Sequence, residues 1–521
     1  MAGPRKILFL CSSDYGQANV ILATAYAILA TGEAAADVEL HVGSEHRMLP
    51  EVRNATRLAD ETLPSTAPHR IHFHGIEGIS QFQAMMRPEA GIAQAWELPL
   101  PNFANAARFM RRFSYGAMPW EPAEIADIYP QVVEIIRAVG PDLTVVDPLH
   151  VPALTAAFNL GLKWTVLAPN TIKDFAVPLQ PRAAALWKYP IIGSALPFPV
   201  PWRYVPMNAG LLLVLAFTML TDTRLGEALK LLRGATGDAS LRLLTLADLG
   251  VVSAPPPGVR LLCAMSEDLD YPFDVLPPHV TPCGPIVRPS RRLAEVDPAL
   301  ERWLARGPTV YVNLGTQFAV KPGEALEFAL ALRDLLDTAA AAEEEEEGPE
   351  GKHVAGQGKL QVLWKLKRKD GGGQAEWEGE WKPVHDALGA EISAGQVRIT
   401  PWVEADPCAI LQSGHVACSV HHGGANSHHE AVAAGVPQVL VPGWIDCYDF
   451  GNRVELNGVG VWANKGAAPR WERAELGDAL KRVLVTERDG FRERARVLGA
   501  RHPEQAGRDK AAGIILHILR E

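Results

Sequence analysis

Cysteine is scarce in this chain. Its six cysteines, Cys11, Cys263, Cys283, Cys408, Cys418 and Cys447, are scattered over 521 residues with no Cys-x-x-Cys pair and no metal-like spacing. That pattern excludes a disulfide scaffold or a zinc ribbon and fits reduced thiols in a cytosolic compartment. Positive charge is short as well. There are 50 Lys and Arg against 60 Asp and Glu, a net charge of −10, and no basic stripe. A general nucleic-acid partner is thereby excluded. The first apolar run is followed only by Gly16, so the Gly-x-Gly-x-x-Gly fingerprint of a nicotinamide-dependent dehydrogenase is missing. The start, MAGPRKILFLCSS, lacks the long apolar stretch and cleavage site of a secretory signal, and Lys6–Cys11 reads as a first β-strand. Val205–Leu220 (VPMNAGLLLVLAFTML) is nearly uncharged but contains Asn208 and Gly210, and it falls short of the ~20 residues of a membrane span. A buried helix is the expectation. The sharper alternative is an element that lines a pocket for a lipid-like molecule or rests on a bilayer surface, a peripheral membrane contact through 205–220.

What is present is an ordinary globular composition, 48% hydrophobic and 21% charged, long enough for two domains. Strand-like runs at Ile7–Cys11, Val38–Val42, Ile71–His74, Asp142–Val146 and Trp164–Leu167 alternate with helix-like stretches such as Ala18–Ala30 and Val132–Val139. The pattern restarts after a Pro/Arg-rich joint near Pro285–Arg292. Thr309–Asn313, Leu360–Lys365, Val397–Ile399, Val416–Val420 and Gln438–Val441 are its strands, and Ala325–Leu336 is helical. Such alternation predicts α/β folding into two Rossmann-like domains with a ligand cleft at the carboxyl ends of their strands. Ala339–Gly358 carries five consecutive glutamates, Glu343–Glu347, and reads as a solvated, disordered insertion; Gly371–Gly373 reads as a flexible loop.

The chemistry concentrates in Val416–Val461. A buried strand ends at Val420, the chain turns through His421-His422-Gly423-Gly424, and a helix begins near Ala425–Ser427. Two glycines allow a ligand close to the backbone, and free N–H groups at the helix start favour phosphate. His422 can donate to a diphosphate oxygen, and Glu430, one turn in, can grip ribose hydroxyls. Ser427-x-x-Glu430 also matches a capping box, which needs no ligand.

The run His422-Gly423-Gly424-Ala425-Asn426-Ser427-His428-His429-Glu430, then Gly435-Val436-Pro437 and Pro442, resembles the signature of the family-one UDP-glycosyltransferases. Asp446-Cys447-Tyr448-Asp449-Phe450-Gly451-Asn452-Arg453-Val454 looks like the corresponding run of that family's sterol-glucosylating branch. Asn313-Leu314-Gly315-Thr316 resembles the loop that sets a hydroxyl against the phosphates, and Trp402 stands at the uracil-stacking position. The resemblance implies a GT-B fold: an acceptor-binding domain over 1–288, a linker over 289–308 and a UDP-sugar-binding domain over 309–491. Residues 492–521 would form a C-terminal helix crossing back to the first domain. It also implies inverting transfer without a required metal or cofactor, UDP-sugar being a substrate. The implied donor set is His422, Gly424, Asn426, Ser427, Glu430, Asp446, Cys447, Trp402 and Thr316.

Two positions depart from the family. Gln17 stands where the family's general base, a histidine, belongs, and an amide has no useful basicity. Asp147 matches the acidic partner of that base. Asp14, Asp147 and His150 are the alternative bases; an acceptor acidic enough to need little help is a further solution. Cys447 replaces the family's sugar-contacting Gln, which leaves the choice of hexose open. The function expected is hexose transfer from a UDP-sugar to a hydrophobic small molecule, a sterol, lipid or aromatic natural product, in the cytoplasm or at a membrane. The alternative is a sugar-nucleotide- or lipid-binding protein without turnover. His69, His72 and His74 suggest an acceptor-side or satisfied role rather than a metal site, since no third ligand type follows at metal spacing.

Overall fold

The computed structural model describes the chain except for residues 1–2, 33–35, 64–68, 348–357 and 370–376. Its first sheet comprises Arg5–Leu10 (β1), Val38–Glu45 (β2), Ile71–Ile76 (β3), Leu143–Val146 (β4), Trp164–Ala168 (β5), Leu261–Cys263 (β6) and Val280–Pro282 (β7). The second comprises Thr309–Asn313 (β8), Gln361–Lys365 (β9), Val397–Thr400 (β10), Val416–His421 (β11), Gln438–Leu440 (β12) and Gly460–Trp462 (β13). The orders are β3-β2-β1-β4-β5-β6-β7 and β10-β9-β8-β11-β12-β13, with every pairing parallel. Parallel strands are covered on both faces and so tolerate unbroken apolar runs. Accordingly Leu8 and Leu10 of β1 enter one core with Val132 and Leu154, while Ile7 and Phe9 enter another with Ile21 and Leu22. The strand order reverses at β1/β4 in the first sheet and at β8/β11 in the second, and at such switch points the loops part to leave a crevice.

Two expectations are corrected here. Helix Pro322–Glu347 runs through the glutamate tract, because alanine and glutamate are strong helix formers. The expected disordered insertion at 339–358 is thus helical over 339–347, and 348–357, like the loop 371–373, lie outside the described residues. Helix Val205–Thr221 is not a core helix. Only Asn208 and Leu211 are buried, since just one side of it meets the helix Phe103–Met110.

The chain ends in helices Arg488–Arg501 and Ala506–Arg520. The latter lies on helix Tyr15–Ala30, placing Ala511, Ala512, Ile515 and Leu516 in the same core as Ile7 and Phe9. A second tie between the halves is ionic and buried. Lys173 Nζ is 2.6 Å from Asp449, Tyr271 Oη donates to Asp449 at 2.9 Å, and Arg453 meets Asp270 at 2.7 Å.

Candidate active site

The first switch point carries the loop Cys11–Asp14 after β1 and Asp147 directly after β4. Asp147 is 1% exposed. Its Oδ1 accepts from Leu149 N at 2.9 Å, while its Oδ2 has only a long contact of 3.5 Å from Ser12 N. Burial outweighs those donors and pushes its carboxyl up to about 7, with Glu45 and Asp14 adding to the rise. Asp14 is fully engaged: its carboxylate accepts from Ser12 Oγ, Phe82 N and Ser80 Oγ and pairs with Arg47. His150 is also engaged. Its Nδ1 accepts from Ala153 N and caps helix Val151–Asn159, and burial drops its pKa to about 4. Gln17 lies on the first turn of helix Tyr15–Ala30 with its Oε1 buried and unpartnered. Sequence reading overlooked Glu45, at the end of β2, which accepts from Ser13 N at 2.6 Å and whose carboxyl burial also raises. Ser12, Ser13, Asp14, Glu45, Arg47 and Asp147 thus form one hydrogen-bonded network at the carboxyl ends of β1, β2 and β4.

At the second switch point, β11 ends in His421 and the chain turns through two glycines into helix Ala425–Ala433. Gly423 needs its positive φ of 86°; a methyl group there would meet Cys447 O at 2.9 Å. Gly423 N donates to His421 Nδ1, which leaves His421 Nε2 to donate to Gln438 Oε1 at 3.0 Å. His421 is therefore the strut of the loop, a role no motif announced. The N-cap of the helix is Gly424, with no side-chain cap. Ser427 and Glu430 consequently do not form the capping box their spacing allowed, and the first N–H groups of the helix have no side-chain partner of that kind.

His422 occupies the mouth of this helix. Its ring abuts Gly424 on one side and Gly315 on the other, where a Cβ would come within 2.8 Å of it, and leans on Trp444 with centroids 5.3 Å apart. Its Nδ1 is buried without a partner. Burial, aided by His421 and Lys365, lowers its pKa to about 3, so the imidazole is neutral at pH 7 and can donate from one nitrogen. Thr316 follows Gly315 directly, its carbonyl accepting from Lys367 Nζ. Lys365 Nζ also sits 4.4 Å over the ring of Trp402, which remains 53% exposed. Glu430 lies within the electrostatic reach of Asp406 and Arg288, and desolvation pushes its carboxyl up to about 8.

Asp446 immediately precedes helix Cys447–Leu456, and burial lifts its carboxyl to about 6. Ile445 before it adopts φ 32°, a left-handed conformation that costs a β-branched residue about 1–3 kcal/mol. Such strain, held by surrounding structure, is typical of residues that aim a functional neighbour. The Cys447 thiol is buried and its pKa well raised, a neutral, weakly polar group. The two switch points face each other. Asn426 Nδ2 donates across the gap to Tyr15 O at 3.2 Å, and Trp96 from the first half stacks on Trp444 from the second at 5.5 Å. The helices bearing Gln17 and Asn426 thus touch across the gap between the two sheets, and Trp402 lies under Lys365. The aromatic stack Trp96–Trp444–Phe318 was missed because isolated aromatics carry no spacing signal.

Elsewhere, His41 Nδ1 and His74 Nε2 are 3.0 Å apart, and Glu39 bridges His41 and His72 at 3.3 Å. His69 is paired with Asp60. The Asp-x-Asp triplet Asp268-Leu269-Asp270 is divided between partners, Asp268 with His502 and Asp270 with Arg453.

Comparison with known proteins places the crevice among sugar-transferring enzymes. Residues 389–507 match the family "Erythromycin biosynthesis protein CIII-like, C-terminal domain". The chain is 32% identical to glycosyltransferase sdnJ of Sordaria araneosa, across 98% of this chain and 97% of that one. A stretch covering 19% of this chain is 35% identical to the sterol 3-beta-glucosyltransferase ATG26 of Gibberella zeae, of which it covers 6%. Among solved structures, a UDP-glucosyltransferase from Polygonum tinctorium superposes with a TM-score of 0.59 over the full length of both chains at 14% identity, which establishes a shared GT-B fold.

Proposed function

The chain belongs to the family-one glycosyltransferases, and from that membership we propose that it moves a hexose from a UDP-sugar, with inversion, onto a hydroxyl of a hydrophobic small molecule. The observation that carries the donor assignment is His422. A neutral imidazole with an unpartnered buried nitrogen, held between two glycines at an uncapped helix start, suits a diphosphate: it donates a hydrogen bond without placing a full charge in the apolar wall.

In this reading the backbone N–H groups around Ala425–Ser427 and the Thr316 hydroxyl take the remaining phosphate oxygens. Glu430 accepts the ribose hydroxyls, Trp402 offers its exposed face to the uracil, and Asp446 accepts two sugar hydroxyls beside Cys447. The acceptor oxygen attacks the anomeric carbon as the bond to UDP breaks on the opposite face, and the negative charge passes to the diphosphate, where His422 and the helix start meet it.

The acceptor's proton goes to Asp147. Asp14 and His150 are committed to hydrogen bonds that hold loops and a helix end, whereas Asp147 Oδ2 has a single long contact and its carboxyl is poised near neutrality. Gln17 Oε1, unpartnered and buried, accepts from the acceptor hydroxyl and so orients it without taking the proton. No metal is needed in this scheme.

The relation to the sterol-glucosylating enzyme and the exposed apolar helix 205–221 support a lipid-like or sterol-like acceptor. The deciding experiment is acceptor-dependent UDP release with UDP-glucose and a panel of sterols, lipids and phenols. Release that rises with one acceptor class supports the proposal. UDP binding with no release from any sugar donor or acceptor would instead favour a sugar-nucleotide-binding protein that lacks a base.

A further inference from the structure

Helix Val205–Thr221 contains no charged residue and turns an apolar face to solvent. Leu213, Phe217 and Leu220, spaced i, i+4 and i+7, are 70%, 68% and 86% exposed, and Trp202 just before the helix is 87% exposed. Large side chains left in water along one helical face mark a contact surface rather than a core. The opposite face is fixed. Asn208 Nδ2 donates to the carbonyls of Ala185, Leu186 and Tyr189, and its Oδ1 accepts from Ile191 N. One buried amide therefore pins the short helix Ala184–Trp187, whose Leu186 and Trp187 are themselves exposed.

The rim of this patch is basic although the chain as a whole carries −10. Arg111 lines a groove with Leu213, Val214, Phe217 and Thr218, Arg203 adjoins Trp202, and Arg108, Arg112 and Arg182 are likewise exposed. Exposed tryptophans beside an apolar helical face and an arginine rim match the layered chemistry of an anionic bilayer surface, where aromatics sit at headgroup level and arginines meet lipid phosphates. The helix is 17 residues long, the short end of what spans a bilayer, although the longer helical stretch Trp202–Thr236 is long and apolar enough to cross one; the helix itself ends at Asp222, which pairs with the buried Arg224. Its packing on Phe103–Met110 and the four hydrogen bonds of Asn208 hold one side against the fold, which suits a helix lying along a surface.

The patch is also continuous with the crevice. Leu211, Val214 and Leu215 share an apolar cluster with Ala106, Phe109 and Ile445, and Ile445 adjoins Asp446. We propose that this face docks the protein on an anionic lipid bilayer, setting the mouth of the crevice at the membrane. The docking itself does not depend on the transferase reading, which UDP release tests separately.

Co-sedimentation of the whole chain with phosphatidylcholine vesicles, with and without phosphatidylserine, tests the proposal. The native protein is expected in the pellet with phosphatidylserine and largely in the supernatant without it. Leu213→Glu/Phe217→Glu/Leu220→Glu should abolish pelleting. Arg111→Gln/Arg203→Gln should weaken it about 25-fold, near fivefold for each basic side chain lost. Unchanged circular dichroism and UDP affinity in both variants would establish that folding is intact. Native protein that stays in solution with both vesicle types overturns the proposal, as do variants that pellet like the native chain. A dimer that dissolves on Leu213→Glu, without vesicle binding, would assign the face to a second copy of the chain instead.

Discussion

Lys173 and Asp449 lie 2.6 Å apart, both nearly sealed from solvent, one from each half of the molecule. Neither charge is compensated by water, so the pair is tolerated only because Tyr271 also donates to Asp449 and the Arg453–Asp270 pair lies alongside. Removing one partner of such a pair strands the other.

Lys173→Met is therefore expected to destabilise the protein by about 3–5 kcal/mol, read as an earlier denaturation midpoint. Lys173→Met/Asp449→Leu should recover most of the loss, since a neutral buried pair carries no stranded charge. A single variant as stable as the native protein would refute the coupling.

Asp147 must be ionised to accept a proton, and its pKa is raised to about 7. Turnover (kcat/KM) should accordingly climb with pH up to about 7 and then level off. The same shift destabilises the fold relative to the unfolded chain as pH rises from the usual carboxylate range through 7, because the buried acid prefers to stay protonated. Asp147→Asn should lower turnover by about 10²–10⁴-fold and reduce this pH dependence of stability. Gln17→Ala, which removes one hydrogen-bond acceptor, should cost about tenfold. A rate profile unchanged in Asp147→Asn would return the base assignment to Asp14 or His150.

His422→Ala should raise the barrier to transfer by about 1.5–3 kcal/mol, the worth of a hydrogen bond to a charged group. Gly424→Ala provides an independent check. Its backbone accepts alanine, but the added methyl would overlap the His422 ring, so it should reproduce much of the loss without altering any donor or acceptor. Native kinetics in both variants would move the diphosphate elsewhere.

Glu430 is largely protonated at neutral pH, its carboxyl being raised to about 8 by burial. Ribose hydroxyls donate best to the ionised form, so UDP should bind more tightly as pH rises from 6 towards 8. Glu430→Gln should bind more weakly at pH 8 and show a flatter profile. Calorimetric titration of both proteins across that range decides it, and equal slopes would remove Glu430 from the ribose site.

The sequence disclosed the alternation of strands and helices and the two-sheet plan because parallel strands are long apolar runs, as in Ile7–Cys11 and Thr309–Asn313. It did not disclose β6, β7 or β13, three residues each, which are too short for any period. After β11 the turn and helix from His422 to Glu430 were legible since a glycine turn into a helix has a compositional mark. His421, Trp444 and Glu45 were not, because their roles depend on neighbours distant in sequence: Gln438, Trp96 and Ser13. The character of helix 205–221 was misjudged for a related reason. Apolar composition alone does not reveal which faces find a partner, and here only the side bearing Asn208 and Leu211 did.

The last helix, Ala506–Arg520, completes the core built on β1, at the opposite end of the sequence. During synthesis the first half leaves the ribosome long before that helix exists. Until Ala506–Arg520 is made, one flank of the nascent first domain, around Ile7, Phe9 and Ile28, stays uncovered. Closure of the first domain's core thus waits on a helix made hundreds of residues later, and a chain lacking Ala506–Arg520 would leave its earliest-made core open.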